Sequence, residues 1–325
     1  MFNQTFSYMV KFFIFVGSFI FWVIEVVVMF LPFIFVLLAV AFFTLLERKL
    51  LGAIMLRKGP NKVGFIGLLQ PFRDAGKLFC KELVFPQYSN ITPFIICPGF
   101  MLGLSLRFWI FYPFMRLEIL FIFGFLQFLV ISRIRVYGVI AAGWSSNSKY
   151  SLLGSVRSVA QSISYEIPFM LLFFTVVFLG WRFFLQELSL WQEGFIFFGV
   201  IYLFGVIEWV ICLLAENNRA PFDFVEGESE LVSGFNVEYS GGMFAIIFIS
   251  EYRSIMFGRV LTGILFWGGN EVLFRVISVF FILFFVWVRG TYPRIRYDKL
   301  IKLGWTRFAY IPLVFILLVM IILLI

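Results

Sequence analysis

Apolar residues run in long unbroken stretches along this chain, without period-2 alternation, divided by shorter polar and charged segments. A helix needs about 20 mostly apolar residues to cross a hydrocarbon core about 30 Å thick. Stretches of that kind fall near residues 22–46, 92–114, 118–142, 160–181, 195–215, 243–266, 272–289 and 308–325. Only helices and closed barrels satisfy the backbone in lipid, and the missing alternation points to helices. The fold expected is all-α and polytopic, with about eight transmembrane spans in a single integral membrane domain over residues 1–325. The first stretch is the least regular, because apolar sequence continues from Phe12 to Leu46 around Pro32. One long kinked helix after an interfacial segment is expected there, since the piece beyond Pro32 is too short to cross. That run is also too long, and lacks the small-residue cleavage site, for a cleavable signal.

The polar segments are not alike. The loop after the first span, within residues 47–91, holds Arg48, Lys49, Arg57, Lys58, Lys62, Arg73, Lys77 and Lys81. Lys149, Arg157 and Arg219 follow the third and fifth spans, and Arg289, Arg294, Arg296, Lys299, Lys302 and Arg307 follow the seventh. Roughly seventeen basic residues thus share one side, against about five on the other: Lys11, Arg116, Arg182, Arg259 and Arg275. Within the first loop, Phe72, Ala75, Phe79 and Leu83 share one helical face while Arg73, Lys77 and Lys81 line another. That is the pattern of an amphipathic helix lying in the membrane interface.

Composition narrows the chemistry. The chain is 62% hydrophobic and only 14% charged, so lipid must cover most of its surface. It has no histidine, and its three cysteines, Cys80, Cys97 and Cys212, are scattered. These absences argue against a haem, copper, zinc or iron–sulfur centre held by this chain alone. No Gly-rich phosphate loop precedes a helix. No redox cofactor is therefore expected here, and electron chemistry falls to a partner or a diffusible substrate. The basic balance is explained by its segregation to one membrane face, and no nucleic-acid partner is expected. The 49 phenylalanines fit a T-biased organellar genome better than a chemical role.

Acidic residues stand where they are costly. Glu166 and Glu251 lie inside spans, each roughly 10 Å from the basic end of its helix, with Glu208 at a similar depth and Glu216 closing the fifth span. Glu25 falls in the first span. A charge near the bilayer centre normally faces a partner or a water cavity. The loop 216–242 then adds Asp223, Glu226, Glu228, Glu230 and Glu238, interleaved with Phe222, Phe224, Val225, Leu231, Val232 and Phe235. So apolar a loop should fold back into the protein, and crowded carboxylates in low dielectric share labile protons. The arrangement suits a proton relay; the plainer reading is that these acids pair with the basic loops.

Four segments resemble a known family: LLERKLLGAIMLRKGPNKVG at 45–64, AGWSSNSKYSLLGSVRSVAQSISYE at 142–166, AENNRAPFDFVEGESELVSGFNVEYSGG at 215–242 and VRGTYPRIRYDKL at 288–300. They are similar to the NADH dehydrogenase subunit 1 family, membrane-arm subunits of mitochondrial respiratory complex I, a NADH:ubiquinone oxidoreductase. The resemblance implies a subunit of a proton-translocating enzyme of the mitochondrial inner membrane, its basic loops on the matrix side and its two long loops toward the hydrophilic arm. It implies a ubiquinone tunnel shared with hydrophilic-arm subunits and bordered by Glu47, Arg48, Arg57, Lys58, Asp74, Arg294 and Arg296. It also implies a coupling channel of Tyr165, Glu166, Glu216, Asp223, Glu226, Glu228, Glu230, Glu238 and Glu251. Neighbouring membrane-arm subunits and membrane lipids are the other partners it implies. Three features depart from the family pattern: an N-terminus some twenty residues longer, Glu208 and Arg253. Arg253 lies about 200° round the helix from Glu251, which leaves Glu208 as its candidate pairing partner. A membrane subunit of a related energy-converting hydrogenase and a stand-alone ion transporter are the alternatives; a transporter commonly shows internal repeats, and none is visible.

Overall fold

The computed structural model describes residues 31–111, 124–180, 185–192, 197–223 and 234–324. Among these residues the regular structure is entirely helical. In chain order the helices are α1 (Leu31–Ile54), α2 (Gln70–Phe79), α3 (Ile91–Phe108), α4 (Gly124–Ser145), α5 (Lys149–Gly180) and α6 (Leu185–Trp191). There follow α7 (Phe198–Ile201), α8 (Leu203–Glu216), α9 (Gly241–Trp267), α10 (Glu271–Thr291), α11 (Tyr297–Leu303) and α12 (Tyr310–Leu324). A π turn over Gly304–Phe308 joins α11 and α12 into one rod.

Six of these rods are long and apolar enough to cross a membrane: α1, α3, α4, α5, α10 and the joined α11–α12. The two other stretches expected to span are helical but interrupted or charged. The stretch near 195–215 breaks at Tyr202, whose φ of −120° and ψ of 56° separate α7 from α8. The stretch near 243–266 forms α9, 27 residues long, and carries Glu251, Arg253 and Arg259. The last basic segment is not a loop throughout, since Lys299 and Lys302 lie on α11. The expected interfacial segment, Glu25, Arg116, Arg182, Glu226, Glu228 and Glu230 lie outside the described residues.

Local chemistry explains several boundaries. Asn270 caps α10 by accepting from the Val272 amide at 3.1 Å, and Arg289 sits in its last turn, where the helix dipole favours a cation. The amphipathic pattern of the first loop becomes α2, with Pro71 near its start and Lys77 in its last turn. Lys81 and Leu83 fall beyond its end. Phe72 of α2 meets Phe42 of α1 edge-on at 6.0 Å.

Serine and threonine are tolerated inside these helices because their hydroxyls bond to carbonyls one turn back, as Ser105, Ser158, Thr175 and Thr262 do. Small residues let backbones approach. A Cβ added to Gly154 of α5 would lie 2.8 Å from the Gly234 Cα, so the 234–240 turn packs directly on that helix. The main core is aromatic: Phe169 and Trp209 stack at 4.3 Å, and Phe108 stacks on Phe257 at 5.5 Å. This core fixes α5, α8 and α9 as the frame on which the acids are displayed.

Candidate functional site

Glu47, on α1, is buried where α9, α10 and the turn after α8 converge. The Tyr252 hydroxyl donates to one carboxylate oxygen at 2.7 Å, and Arg289 of α10 donates to the other. The Arg219 guanidinium lies 3.9 Å from Glu47 and 4.4 Å above the Tyr252 ring. A buried carboxylate held by charged donors from separate elements is costly to form and costlier to break. Arg259, counted above among loop residues, is instead buried in α9 between the rings of Phe43 at 4.8 Å and Phe285 at 4.5 Å. The cation–π faces offset part of its burial.

Around this centre the other tunnel candidates divide. Arg48 pairs with Asp74, which also accepts from Gln70 at 2.9 Å, tying α1 to α2. Arg57 and Lys58 are exposed in the turn after α1. Arg294 lies 3.6 Å from buried Asp223, joining a residue expected in the tunnel to one expected in the channel. Arg296 is exposed and pairs with Asp298 at 3.0 Å.

The coupling candidates gather around a cavity of about 50 Å³, lined by Glu216 and Glu251 with Arg135, Arg219, Ser158, Ser162, Asn217 and Ser254 among others. That space admits water, and its walls carry the polar partners water needs. Arg135 of α4 lies 3.5 Å from the Glu216 carboxylate and also donates to its backbone carbonyl at 3.2 Å. Glu166 of α5 pairs with Arg133 of α4. The turn that delivers Arg219 is built locally. Asn217 caps α8 by donating to the Leu213 carbonyl at 2.9 Å, and Asn218 takes a φ of 50°, a left-handed value that Asn tolerates. Buried Gln161 of α5 then donates to the carbonyls of Ala215 and Phe222, both at 2.9 Å, and closes the turn.

Two further candidates stand apart from the cavity. Tyr165 is buried, and its hydroxyl donates to the Leu300 carbonyl at 3.0 Å, anchoring α11 to α5. Glu238 is half-buried in the turn before α9, beside Tyr239. Burial pushes the Tyr239 hydroxyl up to about 12, so it stays a donor at neutral pH; it lies 3.5 Å from the Ala142 carbonyl. The ring of Tyr239 stacks on Phe94 at 4.1 Å.

The Glu208–Arg253 pair does not form. Arg253 is fully buried and directs one nitrogen to the Ser105 hydroxyl at 3.4 Å, while both Glu208 carboxylate oxygens are buried without a hydrogen-bond partner. The charge pattern failed to single out Tyr252, Arg219 and Arg289 as ligands of Glu47, or Arg133 and Arg135 as partners of the channel acids. A signal for the last two existed: a basic pair two residues apart inside an apolar span needs anions nearby. Among the described residues, no group of cysteines and carboxylates is arranged to hold a metal ion.

Comparison with known proteins identifies the family. The family profile for NADH dehydrogenase matches residues 24–321. NADH-ubiquinone oxidoreductase chain 1 of Mytilus edulis is 54% identical over 283 residues, 87% of this chain and 93% of that protein. The protein of the same name from Aedes aegypti is 50% identical over 275 residues, 84% of this chain and 88% of that one. The one from Branchiostoma lanceolatum is 46% identical over 293 residues, 90% and 93% of the two chains. By that family match and those identities, the chain belongs to the NADH dehydrogenase family.

Proposed function

We propose that this chain is the membrane subunit of a proton-translocating NADH:ubiquinone oxidoreductase, walling part of the ubiquinone tunnel and coupling quinone reduction to proton movement. The relatives' shared name supports the enzyme. The observation that carries the coupling is the position of Arg219. It lies beside Glu47 and over Tyr252, and it also lines the cavity holding Glu216 and Glu251. Consecutive residues of α9, Glu251 and Tyr252, serve the two sites from different faces of one helix.

In this reading, electrons arrive through partner subunits and reduce ubiquinone in a tunnel this chain shares with them. Arg48, Arg57 and Lys58 orient the headgroup electrostatically near the mouth. A change of charge in the tunnel alters the field on Glu47 and its guanidinium partners. Arg219 transmits that change to Glu216 and Glu251, whose proton occupancy responds, since neighbouring carboxylates in a confined site titrate as a unit. The setting is the mitochondrial inner membrane, with the basic segments toward the matrix and the hydrophilic arm. Arg135 and the cavity's hydroxyls hold the acids in place and give the protons somewhere to go.

The test is rotenone-sensitive NADH:ubiquinone reductase activity in the purified native assembly, with this chain identified in it by mass spectrometry. Activity in that assembly is the expected result. Its absence from an assembly that contains the chain would remove both tunnel and channel.

A further inference from the structure

The carboxylate path described above stops at Glu216, yet α8 carries one more acid that the coupling role leaves unused. Glu208 is two turns before Glu216 and roughly 12 Å from it along the helix. Cys212 lies midway, one turn from each and fully buried.

The surroundings of Glu208 are built. Tyr202, at the break that opens α8, lies with its ring across Gly205, where an added Cβ would fall 1.7 Å from a ring carbon. Its other face stacks on Phe315 of α12 at 3.9 Å. The ring is thereby clamped along the first turn of the helix. Its hydroxyl is buried and makes no hydrogen bond; the same holds for the indole nitrogen of Trp209 and both oxygens of Glu208. Four polar atoms on three residues of one segment are therefore buried without a hydrogen-bond partner among the described residues. The basic residue nearest in expectation, Arg253, is turned toward Ser105. An ionised carboxylate in such a place would cost many kcal/mol, and a group so placed neutralises instead.

We propose that Glu208 is a proton-binding station in the membrane interior, on the helix that the clamped ring of Tyr202 opens, that exchanges its proton with the carboxylate path ending at Glu216. The role rests on the coupling reading above and extends it. Each transfer is a proton move only: Glu208 releases its proton toward Glu216, stands briefly as a carboxylate, and regains neutrality when a proton returns from that same path. No electron moves and no bond other than O–H is made or broken.

The test begins with a hydrophobic carbodiimide on the intact assembly in native membranes. This reagent adds to protonated carboxyl groups in apolar surroundings and leaves a stable N-acylurea that peptide mass spectrometry reads. At about pH 7, where an ordinary glutamate is ionised, an adduct on Glu208 is expected; none would overturn the proposal. Second, Glu208→Gln in the assembled enzyme should lower protons moved per electron pair while quinone reduction stays within about twofold of wild type. Wild-type proton output from that variant overturns the proposal even if Glu208 is labelled, because the acid is then only structural. Should the variant fail to assemble, Tyr202→Phe keeps the ring and its packing and is expected to show the same loss; wild-type output from it again overturns the proposal. An unlabelled Glu208 in an enzyme that Glu216→Gln inactivates removes this station alone, whereas full coupled activity in Glu216→Gln removes the path it joins.

Discussion

Glu47 and the Glu216–Glu251 pair are carboxylates at neighbouring sites, yet they are held in opposite ways. Glu47 is buried and saturated, with a phenol and two guanidinium groups closing on it from three elements. Glu216 and Glu251 are only half-buried and line a small cavity shared with hydroxyls, amides and two guanidinium groups, of which Arg135 lies 3.5 Å from Glu216. A saturated carboxylate has nowhere to put a proton without breaking an ion pair; one facing a small polar cavity can exchange its proton with water. Under the coupling proposed above, the first site would be a fixed electrostatic anchor and the second would carry the mobile charge, with Arg219 touching both.

The sharpest way to break that contrast is Glu47→Gln. It leaves Arg219 and Arg289 buried without their anion, and removal of one partner from a buried ion pair costs about 3–5 kcal/mol. The expected outcome is a large loss of assembled enzyme on native gels, with residual activity falling in proportion; normal assembly would mean that Glu47 is no anchor. Next in size is Glu216→Gln, which should assemble normally and lose at least about tenfold in coupled quinone reduction, equivalent to about 1.4 kcal/mol. Wild-type coupled activity would show the cavity acids to be structural. Tyr252→Phe removes a single hydrogen bond to a charged group, worth about 1.5–3 kcal/mol. Assembly should persist and the apparent KM for quinone rise several-fold, and an unchanged KM would separate Tyr252 from the tunnel. Smallest is Arg296→Gln, whose pair with Asp298 is exposed on both sides. An exposed pair contributes at most about 1 kcal/mol, so thermal stability should be unchanged, while an altered KM would restore Arg296 to the tunnel wall.

Much of this arrangement was legible in the chain. Apolar run lengths located the long helices, and the i, i+4 basic row found α2, although it overran the end at Phe79. The intramembrane acids stood out because Glu166 and Glu251 interrupt apolar sequence. The partners of Glu47 were illegible for a plain reason: Tyr252 and Arg289 lie 205 and 242 positions away. No local periodicity reports contacts of that separation. Tyr165, which the family resemblance places in the channel beside Glu166, faces another way. Consecutive helix positions point about 100° apart, and its hydroxyl went to Leu300 instead. Arg259 misled because charge counting assigns a basic residue to water, whereas two phenyl faces receive it here.

Gln161 ties down the turn that carries Arg219 with one amide nitrogen, whose two hydrogens serve two carbonyls seven residues apart. The closest chemical relative of that side chain, glutamate, is nearly identical in shape yet, when ionised, offers no donor at all. A single-letter change in a codon, from Gln161 to Glu, would therefore release the clasp on both sides and set a third acid beside Glu166 and Glu216. For a gene under steady mutational pressure, this position is a narrow one: the geometry linking two sites passes through a residue that one base change turns into an acid of nearly the same shape, with no donor to offer when ionised.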